Sequence, residues 1–282
     1  MDAYEIVRLF VNKTLISKGP QRRGNPGYPR LHALRLLVYA KLTRIETDKG
    51  LIRHLKKNRR VVRGLRLNRV PHRTTVGRWW TRYSELLKAV FEELAGLLQH
   101  PLPCRLLVVD STPLEDRRDP EARWGYTSRG PFLGFKLHVA VNQDGLPVRA
   151  LVTTGNYHDS PFLPTLIQGF RPERVVADAG YDSKANRKAV KRAGAEPVIP
   201  ENPRRRGRQG FRSLLSRGRQ YLVEQFNSLI KDQILKGCWT HVKGLKKKTG
   251  QVYAGLISLL TLSLKAVING EPSLRRVSQC WS

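Results

Sequence analysis

Cysteine is scarce: the 282 residues contain three, Cys104, Cys238 and Cys280, far apart in the chain. No CxxC or Cys/His ligand spacing occurs, which excludes a disulfide-stapled secreted scaffold and the common zinc sites. A reducing cytoplasm is the expected setting. A signal-peptide order is also missing, since MDAYEIVRLF opens acidic and amphipathic instead of basic and then apolar. Long uninterrupted apolar runs are absent as well. The stretch from Val252 to Ile268 carries Ser258, Thr261, Ser263 and Lys265, so it is expected as a buried helix and not as a membrane span. Acidic residues are few: 22 Asp and Glu face 52 Lys and Arg, a net charge of +30. With 40% hydrophobic residues the chain is not expected to be disordered. A folded chain with that much self-repulsion needs a polyanion, and nucleic acid fits better than a membrane surface.

The positive charge falls in two zones. Residues 1–100 carry +15, residues 101–200 only +3, and residues 201–250 +10. The first zone has helical spacing throughout. Leu31 to Tyr39 is apolar on one face, Leu51 to Leu67 is dense in Arg and Lys, and Asn68-Arg69-Val70-Pro71 is a break. A helix capped by Thr74 or Thr75 then runs through Val76, Trp79, Trp80, Tyr83 and Leu87. This arrangement predicts a helix-turn-helix-like, all-α DNA-binding domain over 1–100, with Arg73, Arg78 and Arg82 facing the groove or backbone. Pro101 and Pro103 mark its boundary with a second domain over 101–282.

From Arg105 the period changes. Leu106 to Asp110 is a short apolar strand, Phe135 to Val141 and Val148 to Thr153 form a hairpin around Asp144-Gly145, and Arg174 to Asp178 and Glu196 to Ile199 follow as strands. Helices are expected at Pro161–Phe170, Lys184–Ala193 and Gln220–Lys236. Three antiparallel strands followed by alternating helix and strand is the order of an RNase H-like α/β core, a mixed sheet flanked by helices.

Three acids fall where such a core brings groups together. Asp110 closes the first strand, Asp178 the fourth, and Glu224 lies on the helix after the fifth. Carboxylates at one sheet edge and on a neighbouring helix suit a pair of Mg²⁺ ions acting on a phosphodiester, with Mn²⁺ as a substitute. Each acid also has a structural reading: Asp110 and Asp178 as turn residues, Glu224 as an ordinary exposed helical acid. Glu201 is the competing third acid. Glu224 and Lys231 share the polar face of their helix, one for metal and the other for phosphate. Lys136 is expected on the substrate side. Asp159 is expected as an N-cap, with a spare metal ligand as the alternative. Trp124 and Trp239 are expected to pack in the core, and Lys246-Lys247-Lys248 to be solvated or to face phosphates. The Arg-rich loop 203–219, with Arg204, Arg205, Arg206, Arg208, Arg217 and Arg219, is expected to close on DNA backbone beside the acids.

The series VVDST, DPEARWG, GFKLHVAV, VTTGNYHDS and VVADAGYDS, with Glu224 and Lys231 in E-x6-K spacing, resembles the DDE transposases of bacterial and archaeal insertion sequences. It is similar to their compact group, because a spacing of 46 residues from Asp178 to Glu224 leaves no room for an inserted domain. The resemblance covers residues 104 to 268, and VPHRTTVGRWW resembles the helical domain that precedes the core in that family. It implies that Asp110, Asp178 and Glu224 form the triad and that Lys231 is the signature lysine. The family's tyrosine and arginine before the glutamate are replaced by Arg217 and Gln220, so Arg217 and Arg219 are expected to supply those phosphate contacts. The implied function is Mg²⁺-dependent cleavage at transposon ends and strand transfer into target DNA, by a homodimer on duplex DNA, in the cytoplasm at the nucleoid and without membrane. The alternatives are a resolvase-like structure-specific nuclease and a transposase-derived DNA-binding protein that no longer cuts.

Overall fold

The computed structural model describes residues 3–11, 27–100, 102–127, 130–202 and 214–275, with side chains omitted for 214–220. The chain divides into two compact units, residues 98–229 and a second unit made of residues 1–97 with 230–282.

The unit 98–229 is built on a six-stranded mixed sheet. Its strands are β1 (Leu106–Glu115), β2 (Arg123–Thr127), β3 (Gly130–Asn142), β4 (Pro147–Thr154), β5 (Arg174–Val176) and β6 (Glu196–Val198). β3 pairs antiparallel with β1 and β4, while β1, β5 and β6 run parallel to one another. The order β4-β3-β1-β5-β6 is RNase H-like, with β2 added against the first residues of β3. The β3–β4 turn is held by Asn142, whose Oδ1 accepts from the backbone N–H groups of Asp144 and Leu146. Gly145 supplies the positive φ that the turn requires.

Period-two alternation sorts the sheet into two faces. Leu107, Val109, Val175 and Ala177 belong to one core, together with Leu163, Leu166 and Ile167 from α7 (Leu163–Ile167) and Val190 from α8 (Lys184–Arg192). Val108, Asp110, Val176 and Asp178 alternate to the opposite face. Helix α9 (Leu214–Ser228) packs on β1, β3 and β5.

The other unit is helical. Its N-terminal part holds α1 (Ala3–Phe10), α2 (Arg30–Leu42), α3 (Asp48–Lys57), α4 (Arg59–Gly64), α5 (Arg73–Arg82) and most of α6 (Ser84–Leu98). The predicted single helix through Leu87 breaks at Tyr83, and the cap of α5 is His72, whose side chain accepts from Thr74 N–H, in place of Thr74 or Thr75. Trp79 and Trp80 are buried, the latter donating Nε1–H to Asp48, while Arg73, Arg78 and Arg82 are exposed on the same helix.

The largest departure from sequence order is α10 (Leu245–Ile268), which packs against α1, α2 and α5 of this helical unit instead of joining the preceding sheet domain. Its length and hydropathy would allow a membrane span, but 78% of that window is buried inside the protein. Its interior polar groups are satisfied locally, as a buried helix requires. Ser258 Oγ donates to Val38 O, and Ser263 Oγ donates to Leu259 O. Lys248, expected in a solvated run, is fully buried and donates to the carbonyls of Trp239 and Val242. Trp239 is buried as expected.

Candidate active site

The acids are brought together by the parallel part of the sheet. β1 and β5 pair Val108 with Val176, and the same register carried two residues further sets Asp110 beside Asp178. Asp110 does not close its strand, because β1 continues to Glu115 against β3. Asp178 lies just past β5 as the cap of a short 3-10 turn, Ala179–Tyr181, accepting from Gly180 N–H at 3.0 Å.

α9 closes this face. Asn227 Nδ2 donates to Asp110 Oδ2 at 3.1 Å. Glu224, three residues earlier on the same helix, is exposed. Residues three apart lie on one helical face, so the Asn227 contact turns the Glu224 side of α9 toward Asp110. The sequence does not single out Asn227; its bond to Asp110 makes it the residue that fixes that carboxylate. Among the described residues, no three His, Cys, Asp or Glu side chains stand close enough to hold a metal ion. The acids brought together are thus Asp110 and Asp178, with Glu224 outside the pair.

Electrostatics mark the same spot. Burial pushes the Asp110 carboxyl from 3.8 up to about 7, helped by the charges of Asp178 and Asp159 and opposed by bonds from Ser111 and Asn227. Asp178 retains an exposed edge, yet desolvation by its surroundings, with Asp159 adding, raises it too. Burial, followed by Asp110, Asp159 and Asp178, drives the Tyr181 phenol well above its ordinary value.

Asp159 has no capping hydrogen bond. Its carboxylate takes Lys136 Nζ at 2.9 Å, and the same ammonium donates to Tyr157 O. Lys136 is therefore 5% exposed and already neutralised, so the substrate-facing role expected of it would require breaking that pair. His138 lies beside it with Nδ1 3.6 Å from Asp159. Its Nε2 is 2.8 Å from Thr153 Oγ1. Burial lowers His138 to about 4, and it is neutral at physiological pH.

The α-helical spacing that aligned Glu224 with Lys231 stops at Ser228. Residues Leu229–Leu235 are π-helical, and Lys231 belongs to them and to the other unit. Glu201 is exposed just beyond β6. Arg204, Arg205, Arg206 and Arg208 lie outside the described residues, as do the side chains of Arg217 and Arg219. Trp124, expected in the core, is 61% exposed on β2, next to Tyr126 at 76%.

An RNase H-like sheet with paired, desolvated carboxylates on one face defines a class of phosphodiester-processing folds. Residues 103–261 match the family model described as Transposase DDE domain, and residues 4–82 match one described as Transposase domain (DUF772). The chain belongs to the DDE transposase-domain family.

Among curated relatives, the chain is 34% identical over 115 residues to the putative transposase for insertion sequence element IS402 of Burkholderia cepacia, covering 34% of this chain and 53% of that protein. It is 35% identical over 75 residues to the transposase for IS1106 of Neisseria meningitidis serogroup B, covering 26% of each. The matches span about half the length of these relatives or less. Among solved structures, the piggyBac transposase synaptic complex with hairpin DNA is similar at TM-score 0.48 and 12% identity, covering 99% of this chain and 79% of that one.

Proposed function

We propose that the protein is a transposase that cleaves DNA at the ends of an insertion sequence and joins the freed 3′-hydroxyl to target DNA. The observation that carries this reading is the Asp110–Asp178 pair, fixed by Asn227 and Gly180 at the parallel edge, in a chain of this family. Two adjacent carboxylates in a desolvated position suit a divalent cation that relieves their repulsion, and hard oxygen donors favour Mg²⁺, or Mn²⁺ in its place. Asp110 and Asp178 would hold it, with Glu224 completing the set. When bound, the metal supplies charge stabilisation for the attacking and leaving oxygens.

The chain's own groups do the rest. Asn227 keeps Asp110 oriented, and the Gly180 N–H keeps Asp178 oriented. Tyr181 is not a nucleophile, because its buried phenol resists ionisation, so water and then a DNA 3′-hydroxyl attack without a covalent protein intermediate. Two ends must be held together for joining, which makes a homodimer on duplex DNA part of the proposal, at the nucleoid in the cytoplasm. Exposed Arg73, Arg78 and Arg82 on α5 are assigned to duplex backbone, while Lys231 and the arginines of 203–219 complete the assigned DNA contacts, and Lys136 is left to its pair with Asp159.

The deciding test uses the full chain, Mg²⁺ and duplexes carrying the inverted repeats that flank the gene. Cleavage followed by joining into a plasmid is expected. Cleavage without joining would assign a resolvase-like nuclease, and binding without cleavage a transposase-derived DNA-binding protein.

The Asp110 shift adds a stability prediction. The unfolded chain releases this proton near 3.8 and the folded chain near 7, so the metal-free protein loses stability as pH rises through that window. Asp110→Asn keeps an acceptor for Asn227 and removes the charge. It should raise the metal-free thermal midpoint at pH 8 by about 5 °C. Mg²⁺ should raise the midpoint of the unaltered chain but not that of the variant. A variant no more stable than the parent at pH 8 would contradict the desolvation argument.

A further inference from the structure

Helix α8 carries a surface that the proposed chemistry leaves unused. Lys184, Arg187, Lys188, Lys191 and Arg192 line one open groove, and no acid lies within the helix. At 100° per residue these five cations fall within about 140° of the helix circumference. Asn186 and Val190 are buried on the opposite side. Arg187 is anchored by Asp182 at 2.9 Å and by Ile199 O at 2.7 Å. Lys184, Lys188, Lys191 and Arg192 are exposed and have no ion pair among the described residues. Like charges at i, i+3 and i+4 cost a helix about 0.2–0.5 kcal/mol per pair. Apart from the Arg187–Asp182 pair, no ion pair among the described residues offsets that repulsion, whereas a row of phosphates would.

We infer that the cationic face of α8 is a docking track for the backbone of duplex DNA of arbitrary sequence, which in the reading above is the target DNA. The inference rests on that reading for which DNA is bound, but not for the binding itself. α8 begins six residues after Asp178, near the strand ends that carry the acids, and packs on the opposite face of the sheet from them, which leaves its cationic side open beside the site without covering it. From Lys184 to Lys191 the face extends about 10 Å, the length of about three base-pair steps. Composition supports it as well. Ammonium and guanidinium groups meeting phosphates position a duplex without reading bases, so the track suits DNA whose sequence is not fixed.

The test uses the full-length Lys188→Glu/Lys191→Glu variant and a 30-base-pair duplex of random sequence, with affinity measured across KCl concentrations. Loss of two phosphate contacts should make the slope of log affinity against log salt shallower by about 2. A charge-matched Arg105→Glu/Arg171→Glu variant, altered at other exposed positions of the same unit, should keep nearly the full slope. Lys188→Gln/Lys191→Gln guards against a folding defect and should show the same loss with an unchanged thermal midpoint. Both α8 variants should still cleave end duplexes within about threefold of the parent while joining to plasmid falls. An unchanged slope, or an equal loss in the charge-matched variant, overturns the inference. A parent protein that binds random duplex through α8 but never cleaves or joins would overturn the transposase reading and leave the track standing.

Discussion

Replacing Glu224 with Gln is expected to abolish Mg²⁺-dependent cleavage by about three orders of magnitude, ~4 kcal/mol in the barrier, while duplex binding and thermal midpoint stay unchanged. The amide keeps the shape of the side chain and loses the charge that completes a cation site. The expectation is specific because only one of the two rival acids shares a helix face with a residue bonded to Asp110. Glu201 sits exposed past the end of β6, whereas Glu224 shares its helix face with Asn227, which is bonded to Asp110. Glu201→Gln should therefore retain most activity. The reverse pattern, an active Glu224→Gln and a dead Glu201→Gln, would remove Glu224 from the site.

The second large effect is on stability. Gly250 lies in α10 where an added Cβ would stand 2.5 Å from Trp80 O, a backbone atom that cannot swing aside. Gly→Ala inside a helix ordinarily gains up to ~1 kcal/mol. Here the forced separation of α10 and α5 should outweigh that gain and leave a net loss of about 2 kcal/mol. Gly96→Ala, in α6 with nothing within 4 Å of the new atom, should instead gain about 0.5 kcal/mol. Denaturant unfolding of both variants checks the pair. A Gly250→Ala protein as stable as the parent would mean the two helices do not approach as described.

Much of the sheet was legible because strand period and turn chemistry agree locally. The hairpin at Asp144-Gly145 and the strands ending near Asp110 and Asp178 each combine an apolar run with a turn signal. β1 was cut short in the reading because Ser111-Thr112-Pro113 looks like a turn, although Thr112 and Leu114 continue the buried alternation. β2 left no apolar signal: within RWGYT only Gly125 is buried, and Trp124 and Tyr126 turn outward. Asp159 read as a cap because Ser-Pro follows it, and its actual partner, Lys136, is 23 residues away. Lys248 cannot be told from its two lysine neighbours by composition; burial beside the carbonyls of Trp239 and Val242 decides it. The pairing of Asp110 with Asp178 could be anticipated from topology. The hydrogen bond from Asn227 could not, because it depends on the rotation of α9.

The helical unit is completed by a segment that lies at the far end of the chain. During synthesis α1, α2 and α5 leave the ribosome first, but α10, the helix that packs against all three, begins 148 residues after the unit's N-terminal part ends at residue 97. At ordinary translation rates that is a wait of about 7–30 s. The intervening unit, residues 98–229, is synthesised earlier. A nascent or prematurely terminated chain thus has its acid-bearing unit but an unfinished helical one, with the α10-facing apolar surfaces of α2 and α5 uncovered. The helical unit is complete only once α10 has been made, so ribosomal truncation products that lack it are expected to be cleared as misfolded.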